Sequence, residues 1–563
     1  MNRADQRRRD KLQSREPHRP ALSLKPLFDE AVGHHRAGRL DDAQRLYHQI
    51  LASDPHHADS LHLLGLIAYR MGQLQEAAGL LAHATRENPN QSTYWFNLGV
   101  VLQKQGQGTD ALSAYERALT LQPHYAEARS NVGNVLMEMG RFQEAVAAYE
   151  HALRSKPDYA EAYNNLGVAL KELGKLDEAQ AAYEQALRLA PNHLEAHCNL
   201  GSVLMDQGKL DLAIVSFERA LRLNPEYQKA LYHLAFALMR RQRFEEALNC
   251  FRRSADLKQN HGRLSAVSSI STSRLKHDAE QVHYLLERGL ITADLSAYAD
   301  ALLRLYNRAV EAPEQTARLA LSQEELRAIA PSFTRILHYA ETPALPSAAV
   351  NPSLDVPAIE ARYHAGRPEV MYVDDLLTQE ALISLRRFCV ESTIWKRDYE
   401  NGYLGTFLGD GFSCPLLLQI AEELRLKFPG IFAHHLLTQA WAFKYDSERT
   451  GLNIHADAAA VNVNFWITPD EANLDPAHGG LVVWNKEAPR EWNFKDYNNT
   501  KNEPKVREFL THSEAKAVTI PYRANRAVIF NSDLFHETDR FQFKDAYESR
   551  RLNITLLYGR RLG

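Results

Sequence analysis

The chain has 563 residues, a formal charge of −4 and a pI near 6.7. It is long enough for two or three domains with real cores, and that charge balance excludes the basic footprint of a nucleic-acid binder. No apolar run reaches membrane-spanning length, and Cys198, Cys250, Cys389 and Cys414 lack paired spacing, which fits free thiols in a reducing, cytoplasmic compartment.

Residues 1–23 begin with seven Arg or Lys against three acids among the first 20 and no apolar core, so they read as a basic, disordered tail and not as a secretory signal. From residue 24 to about 261 a strict period takes over. Pro55, Pro89, Pro123, Pro157, Pro191 and Pro225 are 34 residues apart, and Ala43, Ala77, Ala111 and Ala145 keep the same step. So do Gly38, Gly72, Gly106, Gly140, Gly174 and Gly208, which fall where a first helix needs a C-terminal glycine. Tyr47, Leu81, Tyr115, Tyr149 and Tyr183 mark one helical face, and Gly65, Gly99, Gly133, Gly167 and Gly201 another. This period and these columns resemble the tetratricopeptide repeat. The resemblance implies seven units of paired helices stacked into an all-α superhelix with a long concave groove, in which nearly all the repeated residues are packing residues.

One column is different. Asn97, Asn131, Asn165 and Asn199 recur two residues before the first-helix glycine, with Leu63 and His233 at the flanking equivalents. A carboxamide can meet both N–H and C=O of an extended backbone. The column resembles the asparagine ladder in the repeat domain of protein O-linked N-acetylglucosamine transferases, which implies a protein or peptide held in the groove. The alternative is that these amides bond to neighbouring helices.

Residues 262–365 read as a helical adaptor, with helices over Asp278–Gly289 and Ser296–Val310, followed by a Pro- and Ala-rich linker from Pro343 to Pro357. Next come a strand at Glu369–Val373, an amphipathic helix at Thr378–Val390, a turn at Phe428–Ile431 and a strand at Gln439–Tyr445. The run Gly451-Leu-Asn-Ile-His455-Ala-Asp457 is expected as a strand through Asn453 to Asp457, which turns His455 and Asp457 to one face. Strands at Val461–Ile467, Gly479–Trp484 and Arg526–Phe530 lead to His536, and an alternating strand follows Arg550 and Arg551. Two histidines and one carboxylate suit a facial triad with open positions for non-haem Fe(II).

In this order, the segment 366–563 resembles the Fe(II)/2-oxoglutarate-dependent dioxygenases of the prolyl-hydroxylase type. The resemblance implies a double-stranded β-helix (jelly-roll) domain. It implies His455, Asp457 and His536 as iron ligands, 2-oxoglutarate and O2 as co-substrates, Arg551 as the carboxylate anchor, and Tyr445 lining the co-substrate pocket. Arg550 and Arg540 stay open as anchors, because the gap from His536 to Arg551 is long. Asn453 or Asn464 could orient a ligand or simply fill a strand. The insertion Lys486–Ala517, with Trp492, Phe494 and Tyr497, is expected as a substrate lid or a packed surface loop. The expected function is hydroxylation of a protein or peptide side chain captured by the repeats. A small-molecule hydroxylase whose repeats recruit partners, and a scaffold with an inactive oxygenase domain, are the alternatives.

Overall fold

Glycines with left-handed backbone punctuate the first part of the chain. Gly38, Gly72, Gly106, Gly140 and Gly174 have φ between +73° and +77°, a conformation that costs L side chains strain. Each ends one helix so that the next can begin two residues later. A computed structural model describes residues 24–260, 269–311, 318–366, 368–399, 402–432, 434–449, 454–489, 491–492, 497–498 and 500–559. The tail 1–23, Asn453 and Phe494 lie outside the described residues. The chain divides into two compact units, one ending at Gln207 and the other starting at Gly208.

The first unit is a run of helices from Lys25–Arg36 to Leu194–Asp206. Its core explains the second glycine column. Tyr115, Tyr149 and Tyr183 are at most 1% exposed, and each ring lies flat on the glycine of the preceding helix. A Cβ at Gly133 would sit 2.6 Å from Tyr149 Cε1, and one at Gly99 2.7 Å from Tyr115. Alanine in a helix interior is ordinarily better than glycine by about 1 kcal/mol. Gly133→Ala should reverse that sign and lower stability by about 1–3 kcal/mol through overpacking. Gly79→Ala, in a helix with nothing within 4 Å of the added carbon, should raise it. Urea midpoints of the two variants check both.

A pH effect arises near the start of this unit. His62 stacks on Tyr94 with ring centroids 4.5 Å apart and lies 2.7 Å from the Asn97 amide nitrogen. Burial pushes its pKa down to about 4. Because the unfolded imidazole titrates near pH 6.5, the unfolded state binds the extra proton between those values. Stability is therefore intact above about pH 6.5 and declines as the pH falls toward 4. His62→Gln should flatten that slope in melts run from pH 7 to pH 4.5.

The second unit opens with the helices Leu210–Leu223, Gln228–Arg240 and Phe244–Asn260. They pack as part of this unit. Buried Asp410 receives Lys258 Nζ at 2.5 Å and Arg397 Nε at 2.5 Å, while its backbone carbonyl accepts from Gln259 Nε2 at 2.7 Å. The Tyr232 ring lies where a Cβ on Gly409 would be 2.3 Å away. Two expected adaptor helices are present as Thr272–Glu287 and Ser296–Glu311, flanked by strands β1 (Ser269–Ser271) and β2 (Arg318–Ala320) that pair antiparallel. The Pro- and Ala-rich passage is not a free linker. The backbone N–H of Leu345 bonds Gln419 Oε1 at 2.7 Å, and those of Ala349 and Val350 bond Glu423 Oε2 at 2.8 and 2.7 Å. Side chains of the helix Pro415–Lys427 thus supply the partners that a proline-rich backbone cannot find in a ladder.

Ten of the remaining strands make two antiparallel sheets. These are β3 (Val370–Val373), β4 (Arg397–Asp398), β5 (Tyr403–Phe407), β6 (Leu437–Tyr445), β8 (Val461–Trp466), β9 (Leu481–Glu487), β10 (Ala517–Ile520), β11 (Ala527–Asn531), β12 (Leu534–Thr538) and β14 (Leu552–Tyr558). Short β7 (Glu448–Arg449) pairs with β13 (Phe541–Gln542). The larger sheet runs β3-β11-β8-β14-β6-β5-β4 and the smaller β10-β9-β12. One apolar cluster draws Tyr445, Trp466, Val528 and Phe530 from the first and Leu481, Val483, Ile520 and Leu534 from the second. Three sequence expectations change here. The strand expected through Asn453 to Asp457 is, among the described residues, a single antiparallel bridge, His455 to His536. Phe428–Ile431 is largely a short helix, Pro429–Phe432, because Pro429 fits the first helical position. The insertion carries its own helix, Glu503–His512.

Candidate metal centre and carboxylate pocket

Backbone pairing brings the three metal-ligating residues together. His455 N donates to His536 O at 3.0 Å, His536 N returns the bond at 2.8 Å, and Asp457 N reaches Ser532 O at 3.0 Å. Ligand atoms of His455, Asp457 and His536 then lie within 4.8 Å of one another. His536 Nε2 is 3.4 Å from Asp457 Oδ2, and the His455 and His536 ring centroids are 4.4 Å apart. His536 Nδ1 lies 3.0 Å from the Leu534 carbonyl. A carbonyl can only accept, so Nδ1 carries the proton and Nε2 keeps its lone pair for a metal. Burial alone would raise the Asp457 pKa. The neighbouring His536 and His455 and the Asn462 amide outweigh it and hold the carboxyl below its ordinary value. Asn462 Nδ2 donates to Asp457 Oδ2 at 2.7 Å.

Arg551 and Arg550 are consecutive, yet they face opposite ways. Arg550 Nη2 and Nε bond Glu280 Oε2 at 2.6 and 2.9 Å, and its Nη1 meets Asp446 at 3.3 Å. Arg540 Nη2 lies 2.6 Å from His478 Nε2 on the exposed side. Arg551 is 1% exposed and rests against aromatic faces, 4.8 Å from the Tyr445 centroid and 5.5 Å from that of Phe541. Its Nε and Nη2 donate to the Gly479 and Gly480 carbonyls at 2.7 and 3.2 Å, while Nη1 has no partner among the described residues. A buried guanidinium without a carboxylate is a costly arrangement, and it is the chemistry of a site that receives an anion. Tyr445, 3% exposed, turns its hydroxyl to within 3.5 Å of Thr538 Oγ1 on β12.

Of the wall between these two places, sequence reasoning singled out Asn464 but not Asn462 or Trp466. On β8, Asn462, Asn464 and Trp466 alternate onto the face shared with Asn553 and Thr555 of β14 and with Arg551 just before that strand, since Asn553 pairs with Trp466 and Thr555 with Asn464. All are at most 5% exposed. Asn462 Oδ1, Asn464 Oδ1, Asn553 Oδ1 and Trp466 Nε1 have no hydrogen-bond partner among the described residues. The available signal was a polar residue at every second position of a strand otherwise reading Val-x-Val-x-Phe.

The insertion is seated beside the ligands. Ile454, Ala456 and Phe535 form one cluster with Tyr497, Val506 and Leu510, and Asn498 Nδ2 donates to the Ala456 carbonyl, between the two ligands, at 3.2 Å. Trp492 stacks near Phe509 and under Lys505. Its described part is therefore a packed cover.

Comparison with known proteins concerns the other end of the chain. Residues 28–230 match the family model of the cilia and flagella-associated protein 70 C-terminal domain, and residues 204–269 match a tetratricopeptide-repeat model. The N-terminal region of the chain therefore carries tetratricopeptide repeats. Solved structures similar to the chain include MamA (27% identity, 30% of this chain and 91% of that one, TM-score 0.28). They also include YrrB, titled a repeat protein with an unusual peptide-binding site (26% identity, 33% and 95%, TM-score 0.29). A third is a tetratricopeptide repeat protein from Parabacteroides merdae (18% identity, 43% and 95%, TM-score 0.37). No curated protein matches the chain. Among the described residues, no helix is long and apolar enough to cross a membrane.

Within the tetratricopeptide array, the asparagine column is bonded internally. Asn131 Nδ2 reaches Tyr115 Oη at 3.4 Å, Asn165 Nδ2 reaches Asn134 Oδ1 at 3.1 Å, and Asn199 Nδ2 reaches Asn164 Oδ1 at 3.0 Å. Asn97 has His62. Each amide thus ties one helix to a neighbour, the alternative left open by the sequence.

Proposed function

We propose that the second unit is an Fe(II)- and 2-oxoglutarate-dependent dioxygenase with a double-stranded β-helix fold, which hydroxylates a protein or peptide side chain brought by the repeats. One observation carries this reading: a His-Asp-His set, with Asp457 and His536 buried, and a buried arginine whose Nη1 has no partner among the described residues lie along one polar wall. The donor set fits Fe(II), and the unpartnered Arg551 N–H fits the distal carboxylate of 2-oxoglutarate. His455, Asp457 and His536 would hold the metal, and Arg551, beside Tyr445, the co-substrate. When bound, the iron and 2-oxoglutarate supply O2 activation coupled to decarboxylation, which is oxidising power that no side chain has.

The protein's own contributions are positional. Leu534 O fixes the His536 tautomer, Asn462 fixes the Asp457 carboxylate, and the carbonyls of Gly479 and Gly480 aim the guanidinium. The cluster under Tyr497 and Phe535 keeps water from one side of the ligands. A second reading, a small-molecule hydroxylase whose repeats recruit partners, gains from the internal bonding of the asparagine column. Anaerobic titration with Fe(II) and 2-oxoglutarate tests the enzyme reading: the chelate's visible charge-transfer band is expected, and folded protein without it would sink the proposal. Succinate formation that rises on adding peptides, and falls again in Asn131→Ala/Asn165→Ala protein, would select the first reading over the second.

A further inference from the structure

The Arg551 pocket holds a second unexplained donor. Trp466 is fully buried, and its Nε1–H has no partner among the described residues. Indole nitrogen can only donate, and an orphaned buried N–H is rare enough in native proteins to demand an explanation. The strand register supplies one. Trp466 pairs with Asn553, so Arg551, two residues before Asn553 and just ahead of β14, falls on the same face as a diagonal neighbour. The guanidinium carbon is 5.8 Å from the Trp466 ring centroid. Tyr522 packs on the other part of that ring at 5.5 Å, and its own hydroxyl is occupied by the Thr468 carbonyl. Tyr445 and Phe541 lie against the guanidinium and Tyr522 against the indole, and the Tyr445 hydroxyl is engaged beside Thr538; among the described residues, Trp466 Nε1 and Arg551 Nη1 are the donors here without a hydrogen-bond partner.

Two donors on one wall match the two oxygens of one carboxylate. We infer that Trp466 is a specificity-determining residue: its indole N–H donates to the same distal carboxylate that Arg551 holds, and together they select dicarboxylic 2-oxo acids over monocarboxylic ones. The inference rests on the dioxygenase reading. A site built to hydrogen-bond a group discriminates strongly against analogues that lack it, because its buried donors are then left unpaired.

The experiment measures affinity in the full chain, with anaerobic Fe(II), through the absorbance of the chelate. Two ligands are compared, 2-oxoglutarate and 2-oxobutanoate, which share the chelating end and differ in the distal carboxylate. Trp466→Phe keeps an aromatic ring and removes the N–H. Its Kd for 2-oxoglutarate should rise about tenfold to hundredfold, the range for a hydrogen bond to a charged group, while that for 2-oxobutanoate stays within twofold. An equal rise for both ligands would assign Trp466 a packing role and overturn the inference, as would no change for either. If the phenylalanine variant does not fold, Trp466→His retains a ring donor and should keep the preference for the dicarboxylate; loss of that preference would overturn the inference. Failure of the underlying reading looks different: wild-type protein would form no chelate with either ligand, and Arg551→Met would change nothing.

Discussion

Asp457→Ala protein will form no chelate with Fe(II) and 2-oxoglutarate, and its succinate production will fall to the uncoupled background. Removing a group that merely orients a ligand typically costs 10–100-fold in metal affinity or activity, so loss of a ligand itself should exceed the hundredfold end of that range. The same change leaves Asn462 Nδ2 and His536 Nε2 facing an empty position that Asp457 Oδ2 filled at 2.7 and 3.4 Å. A loss of about 1–3 kcal/mol in metal-free stability should accompany it. Far-UV circular dichroism confirms that the variant is folded, and His434→Ala, at an exposed histidine outside the cluster, should retain the chelate band. Retained turnover in Asp457→Ala would exclude the triad as the metal centre.

Arg550→Leu should do the reverse, lowering stability while sparing the chelate. Arg550 is 5% exposed and spans Glu280 on the helix Thr272–Glu287 and Asp446 next to β6. Breaking a buried pair from one side strands the other charge, at about 3–5 kcal/mol when nothing replaces it. Here Glu280 keeps 29% exposure and Asp446 retains Lys276 at 2.9 Å, which places the expected loss near the lower end, about 3 kcal/mol. Chemical denaturation measures it. Arg551→Met, one residue later, should show weakened 2-oxoglutarate binding. A stable Arg550→Leu protein with impaired 2-oxoglutarate affinity would exchange the roles of the two arginines.

These two residues show where sequence reading stops. Their spacing from His536 could not separate them, because the deciding partner of Arg550, Glu280, is 270 residues away along the chain. Features written in short-range spacing were legible. The glycines with positive φ follow from the period, and the glycines beneath tyrosine rings could be read as packing residues. The grouping of His455, Asp457 and His536 within one small volume was also foreseeable from motif order. Features decided by neighbours distant in sequence were not. The passage 343–357 reads as a linker until Gln419 and Glu423 are found bonded to its amides. The asparagine column gains Asn134, Asn164 and His62 as partners only once the helices are stacked. Trp466 reads in sequence only as one residue of the apolar strand Val461–Ile467; that its Nε1 has no hydrogen-bond partner among the described residues is visible only in three dimensions.

The seam between the units has a consequence for how such a chain can change. Its period continues to residue 260, yet its packing changes partners at Gly208. Whole 34-residue modules could be duplicated or lost before Gln207, and the reach of the array would change without touching the interior of the β region. A cut or insertion at the end of the period would remove Lys258 and Gln259 from Asp410 and Tyr232 from Gly409. Natural length variation and engineered chimaeras should therefore accumulate upstream of that boundary, with the last three helices of the period inherited together with the sheets.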